Sequence, residues 1–218
     1  MTETETGAYK AALEQVQRLL HDREYKLALE QVDAILEVHP GDAKTNFLRA
    51  VALRNLGQLD ESISLLGELA KVTTGIAAVH QELGITLHAV GKIDDAIDAL
   101  RAALAINSKL STCWQLLGQC LVAEGEEAEA EEAMRRAIAT SHTHPGILKA
   151  LDLVREEKYG MAEGICRDYL QRKPTDVAVV RLLAEIGLKL GVRDDPVILL
   201  EDCLRMAPDY HLARHPYA

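Results

Sequence analysis

A small residue returns every 34 positions along much of this 218-residue chain, at Ala28, Ser62, Ala96 and Ala130. Gly57, Gly91 and Gly125 keep the same step, while Ala162 follows Ala130 after 32 positions and Pro196 comes 34 later. A fixed period of this length means one short supersecondary unit copied in series, each copy burying its apolar side against the next. Aromatic residues make up only 4% of the chain and Ala and Leu are abundant, which suits helices better than sheets. The period therefore predicts an array of helical hairpins.

Within a copy, apolar residues at i, i+3 and i+7 draw one stripe along the first helix, and a Gly or Ala at i+4 lets the second helix come close. The fourth copy reads Trp114-x2-Leu117-Gly118-x2-Leu121 and then Ala130-x3-Met134. The third reads His80-x2-Leu83-Gly84-x2-Leu87 and then Ala96-x3-Leu100, and Pro40, Pro174 and Pro208 close three of the copies. This pattern resembles the tetratricopeptide repeat, with its W-x2-L-G-x2-Y, A-x3-F and closing proline. The resemblance implies an all-α fold, an α-α superhelix or solenoid of about six hairpins in one domain over 1–218. Repeats are expected near 9–42, 43–76, 77–110, 111–142, 143–176 and 177–210, with a truncated helix at 211–218.

Local chemistry supplies the punctuation. Gly57, Gly91, Gly125 and Gly191 fall where the first helix of a hairpin must stop in a left-handed residue, which costs glycine nothing sterically. Asp60, Asp94 and Asp194 follow as expected N-caps of the second helix, and Pro196 is tolerated in a first turn. The fifth copy is shorter by two residues, carries Lys149-Ala150 in place of Leu-Gly, and has Glu157 and Lys158 in its turn. The Thr, His, Pro and Gly cluster from His142 to Gly146, directly after Ser141, marks the expected position of a flexible joint.

A net charge of -10 disfavours nucleic acid and anionic membranes as partners, because both require clustered Lys and Arg. The start of the chain lacks the basic and apolar stretch of a secretory signal, and no run approaches the roughly 18 apolar residues of a membrane span. A cytoplasmic location is expected. Cys113, Cys120, Cys166 and Cys203 form no Cys-x-x-Cys pair and read as small buried hydrophobes with reduced thiols. His142-x-His144 and the i, i+4 pair His211 and His215 have chelating spacings but lack a third ligand, so no metal is expected. No G-x-S-x-G, P-loop, G-x-G-x-x-G or H-E-x-x-H occurs, so neither catalysis nor a cofactor is expected. Glu124, Glu126, Glu127, Glu129, Glu131 and Glu132 read as a solvated acidic face, expected on the outer surface.

The resemblance also implies a concave groove lined by the first helix of each hairpin, taking a protein or peptide segment. Carried onto this chain, its lining is Lys44, Phe47, Val51 and Arg54 in the second repeat and Gln81, Ile85 and His88 in the third. Gln115 and Gln119 continue it in the fourth, Ile147 and Leu151 in the fifth, and Arg181, Glu185 and Lys189 in the sixth. Some tetratricopeptide co-chaperones grip a C-terminal carboxylate with Lys, Asn and Arg. Here the corresponding places hold Leu13, Gln17, Phe47, Val51, Gln81 and Ile85, so that clamp is not reproduced.

A narrower resemblance rests on Ala162-Glu163, Arg167-Asp168-Tyr169-Leu170, Pro174-Thr175-Asp176, Arg181-Leu182-Leu183-Ala184-Glu185 and Leu200 to Asp209. These resemble the N-terminal repeat region of bacterial tetratricopeptide-repeat sulfotransferase proteins. That likeness implies a non-catalytic recognition region preceding a sulfuryl-transfer domain. The alternative is a structural solenoid that associates with copies of itself. After Pro208, the stub from His211 through Arg214 and Pro216 to Tyr217-Ala218 is expected to be loosely held, or to cover its neighbour's apolar flank in a homodimer.

Overall fold

A computed structural model describes residues 3–142 and 144–192, with side chains from residue 7. The expectations for Asp194, Pro196, Cys203, Pro208, His211, Arg214, His215, Pro216, Tyr217 and Ala218 lie outside the described residues. So does Thr143 within the expected joint.

Among the described residues all regular structure is helical. The helices are α1 Glu3–His21, α2 Tyr25–Val38, α3 Ala43–Asn55, α4 Leu59–Val72, α5 Ala77–Ala89, α6 Ile93–Ile106, α7 Ser111–Ala123, α8 Glu127–Ser141, α9 Pro145–Arg155, α10 Tyr159–Arg172 and α11 Val177–Lys189. The chain divides into two compact bodies, residues 1–108 and 109–218. In the first body α1 pairs with α2, α3 with α4 and α5 with α6; in the second, α7 pairs with α8 and α9 with α10, while α10 also packs along α11.

The period reports where helices touch. Ala28, Ser62, Ala96, Ala130 and Ala162 are essentially inaccessible on the second helix of each hairpin. In the second to fourth hairpins they meet a small residue of the first helix, whereas in the first hairpin the equivalent position is Val16: the Ser62 hydroxyl donates to the Ala50 carbonyl at 2.9 Å. A Cβ built on Gly84 would stand 2.7 Å from Leu100 Cγ, and one built on Gly118 would stand 3.0 Å from Met134 Cγ. Larger residues would force the two helices apart.

Gly57, Gly91, Gly125 and Gly191 all take a φ near +80°, as the sequence predicts, and stop α3, α5, α7 and α11. Arg23 (φ 63°) and Glu157 (φ 58°) adopt the same conformation at the corresponding places after α1 and α9. Asp60 and Asp94 are not N-caps: Gln58 and Lys92 hold those positions without a side-chain bond. The helix restarts immediately after the left-handed turn, so each aspartate lies inside the first turn, where its charge meets the positive end of the helix dipole. Side-chain capping occurs instead on first helices, with Asp42 accepting from Thr45 N and Asp176 from Val179 N.

The two residues missing from the fifth repeat are lost from its first helix. Helix α9 has 11 residues, whereas α3, α5, α7 and α11 have 13. At about 1.5 Å of rise per residue, α9 is shorter by about 3 Å. Within the second body, α8 then meets α9 over only a short stretch and also reaches α11.

Gly84→Ala is expected to lower stability by about 1–2 kcal/mol, because a clash with the branch carbon of buried Leu100 outweighs the helix propensity gained. Gly118→Ala should stay within about 1 kcal/mol of wild type, since the methionine opposite can bend away. Glu157→Gly should stabilise by about 0.5–1 kcal/mol by relieving a left-handed non-glycine residue. Denaturant midpoints of the three variants check this order.

Candidate functional site

The expected groove residues fall into two sets, one on each body. In the first body, Lys44, Phe47, Val51 and Arg54 lie along one face of α3, and Gln81, Ile85 and His88 along one face of α5. Phe47 is half-buried and packs into the cores on both sides of α3. Arg54 Nε donates to Glu82 Oε2 at 2.9 Å, tying α3 to α5. Val51, Gln81, Ile85 and His88 are half-buried and Lys44 is exposed.

In the second body the set divides. Gln115 and Gln119 are half-buried on α7. Ile147 and Leu151 are core residues, at 0% and 8% exposure, packed with Ala162, Cys166, Val179 and Leu182. Shortened α9 lies between α10 and the α11 side of that core, so these two side chains do not line a surface. Arg181 is also buried, at 7%, while Lys189 is exposed.

Sequence reasoning missed the partners of this α11 face. Glu185 Oε1 accepts from Arg135 Nη1 at 3.1 Å, and Glu185 Oε2 lies 3.5 Å from Arg181 Nη1. Lys189 Nζ reaches Glu131 at 3.2 Å, and Glu131 keeps its ammonium charged to higher pH than usual. Glu132 takes Arg135 at 3.3 Å and Arg136 at 2.7 Å. Burial raises the Glu132 pKa, but these arginines outweigh that and hold it below the usual value. Thus Glu124, Glu126, Glu127 and Glu129 are solvated as expected, whereas Glu131 and Glu132 belong to an ion network joining α8 to α11. The signal was the two-residue shortening, but a length difference alone does not reveal which helices it brings together.

At the other end of the same seam lies a cleft of about 90 Å³, lined by Ser111 and Gln115 of α7, Met134, Ala137, Ile138 and Ser141 of α8, and Ala178 of α11. Its walls are apolar except for the polar ends of Ser111, Gln115 and Ser141. That is the form of a pocket for a side chain with polar groups available to orient its backbone.

The stretch from His142 to Gly146, expected as a joint, is tied down on both sides of residue 143. His142 Nε2 donates to Asp176 Oδ2 at 3.0 Å, and the Tyr169 hydroxyl donates to the same oxygen at 2.8 Å. His144 Nδ1 accepts from Gly146 N at 3.2 Å, capping α9, and its ring meets Tyr169 edge-on at 5.0 Å. Burial raises the Asp176 carboxyl, but the His142 and Tyr169 hydrogen bonds win and leave it below the usual aspartate value. Tyr169 is pushed up to about 12 by burial and by the aspartate. No group of three or more His, Cys, Asp or Glu side chains among the described residues is arranged to hold a metal ion. Cys113, Cys120 and Cys166 are buried and outside any disulfide; burial pushes Cys120 up to about 11 and Cys166 up to about 12.

Hairpins of this length, joined at small residues and ended by left-handed turns, define a helical-repeat interaction scaffold. The chain is a tetratricopeptide-repeat protein: models of that repeat match residues 13–75 and 87–151. No curated protein sequence matches it. Among solved structures it is similar to PilF of Pseudomonas aeruginosa, with a TM-score of 0.65 at 16% identity over 99% of this chain and 98% of that one. It is also similar to MamA of Desulfovibrio magneticus RS-1, with a TM-score of 0.61 at 14% identity over 92% and 95% of the two chains. YrrB, described as a tetratricopeptide-repeat protein with an unusual peptide-binding site, matches with a TM-score of 0.57 at 16% identity over 85% and 97%. Proteins built from these repeats generally mediate protein–protein interaction. No described helix is long and apolar enough to cross a membrane.

Asp176→Asn is expected to cost about 1–2 kcal/mol at neutral pH, since it removes an anion that accepts hydrogen bonds in a largely buried site. A folded-state pKa below the unfolded value of about 4 gives stability that is complete above pH 4 and lost as pH falls through the lower, folded value. The gap between wild type and Asp176→Asn should therefore narrow below about pH 4, as read by chemical denaturation at a series of pH values. A soluble disulfide reagent at pH 8 should leave Cys113, Cys120 and Cys166 unlabelled in the native chain and label all three in denaturant.

Proposed function

We propose that this chain is a non-catalytic interaction module that takes an extended peptide segment of a partner protein. The observation that carries the reading is the cleft between α7 and α11 over α8, where Gln115 meets an apolar pocket of side-chain size. The half-buried faces of α3 and α5 provide a second surface of mixed polarity, with Phe47, Val51 and Ile85 between Lys44 and the Arg54–Glu82 pair. Peptide recognition by pockets for alternate side chains and by polar side chains along the backbone fits both. The peptide-binding site named for YrrB supports the same reading.

The resemblance of residues 159–218 to the repeat region of sulfotransferase proteins extends the proposal. On it, the module is the recognition arm of a protein whose further domain transfers sulfuryl groups, and its partner is then the polypeptide to be modified.

The test is selection from a displayed random-peptide library on the purified chain, with affinities measured by fluorescence polarisation. Ser111→Trp, which fills the cleft, and Gln115→Ala should each weaken the selected peptides about tenfold or more, with unchanged helix content and unchanged mass in solution. Binding that ignores both substitutions would remove the cleft from the proposal. A chain that selects no peptide and sediments as an oligomer would replace it with the self-associating solenoid.

A further inference from the structure

The guanidinium of Arg181 has one edge with no partner. Its side chain is 8% exposed, its Nη1 lies 3.5 Å from Glu185 Oε2, and its Nε and Nη2 are buried without a hydrogen bond. Arg49 Nε, which also makes no hydrogen bond, has Asp33 Oδ1 at 3.2 Å to balance it. The two unpartnered nitrogens of Arg181 form the side of the fork that accepts both oxygens of one carboxylate. A buried donor left unmade is costly, so the folded chain carries a bonding demand that a ligand can meet.

Both nitrogens are closed off from solvent as they stand, so a ligand reaches them only when Arg181 turns, and two features allow that. The contact to Glu185 exceeds hydrogen-bond length for a charged pair, so it does not lock the guanidinium. Glu185 Oε1 is independently held by Arg135 at 3.1 Å, so the carboxylate keeps one cationic partner when Arg181 turns, although its buried Oε2 makes no hydrogen bond. Among the described residues the network has four cations, Arg135, Arg136, Arg181 and Lys189, facing three carboxylates, Glu131, Glu132 and Glu185. One added carboxylate completes it. Arg181 stands one helical turn along α11 from Ala178, which lines the cleft.

We propose that Arg181 is the specificity residue of the cleft, receiving an Asp or Glu side chain of a peptide whose neighbouring apolar residue enters the pocket lined by Ser111, Gln115 and Ala178. This rests on the peptide-binding reading above and adds the chemistry of the partner.

The probe is an array of heptapeptides with a central Leu and an Asp or Glu at each other position in turn, each paired with its Asn or Gln isostere. Acidic members with the carboxylate one to three residues from Leu should bind about tenfold or more tightly than their isosteres. Arg181→Met should abolish that preference, with helix content and mass in solution unchanged. Arg181→Lys keeps the charge but not the planar edge, and should lose most of the preference. If Arg181→Met does not fold, the Arg181→Lys comparison decides. Peptide binding that is lost in Ser111→Trp but shows no acidic preference, or a preference that survives in Arg181→Lys and any folded Arg181→Met, would overturn the proposal and leave the peptide-binding reading standing. Binding of no heptapeptide, or binding indifferent to Ser111→Trp, would overturn both.

Discussion

Close approach of two helices at small residues is the constraint on which the rest of this structure depends. Each hairpin brings a residue of its first helix, such as Ala50, Gly84, Gly118 or Ala150, against the buried small residue of its second. With no bulk at the crossing, backbones approach closely enough for Ser62 to bond the Ala50 carbonyl and for Leu100 to fill the space over Gly84. The turn must then reverse the chain within a few residues. The left-handed residue does so each time, even where it is Arg23 or Glu157 and must accept the steric cost. That the turn persists with these residues shows that the crossing sets the geometry and the turn residue adapts to it.

The hairpins were legible from sequence because this constraint is local and repeated. Small residues at a step of 34, glycines at their left-handed turns and apolar stripes at i, i+3 and i+7 each act within one copy, so each leaves a pattern in one copy. The cysteines were legible for the same reason, as Cys113, Cys120 and Cys166 occupy stripe positions and are buried. What failed was inference across copies. Asp60 and Asp94 look like caps by spacing, but helix restart two residues earlier turns them into first-turn charges. Ile147 and Leu151 keep the register of a groove face, yet the helix they sit on is the shortened one and is enclosed.

The fifth repeat shows how a small deletion creates something a regular array lacks. Removing two residues from α9 lets α11 meet α8, and both helices present charges at that seam. The ion pairs between Glu131 and Lys189 and between Arg135 and Glu185 join residues more than fifty positions apart or nearly so, which no helix-local rule anticipates. Composition marked the neighbouring segment as loose because Ser, His, Pro and Gly favour turns. In fact His142 and Tyr169 converge on Asp176, and a carboxylate receiving two side-chain donors and a backbone N–H gives that turn an anchor. Asp42 plays the corresponding part in the first body, capping α3 through Thr45 and taking a hydrogen bond from Tyr9.

Fold and recognition are therefore written in different residues. The positions that repeat are the ones packing requires, and they are spent on holding helices together. The positions free to differ between copies, Gln115, Gln119 and Arg181 among them, are the ones to which the proposed reading assigns recognition. Regular stacking would cover most of α8 with the next hairpin; the shortened repeat instead leaves a cleft at one end of the seam and a buried arginine near its middle. A break in the repeat is thus where binding chemistry can collect, because only there does the fold stop dictating what each side chain must touch.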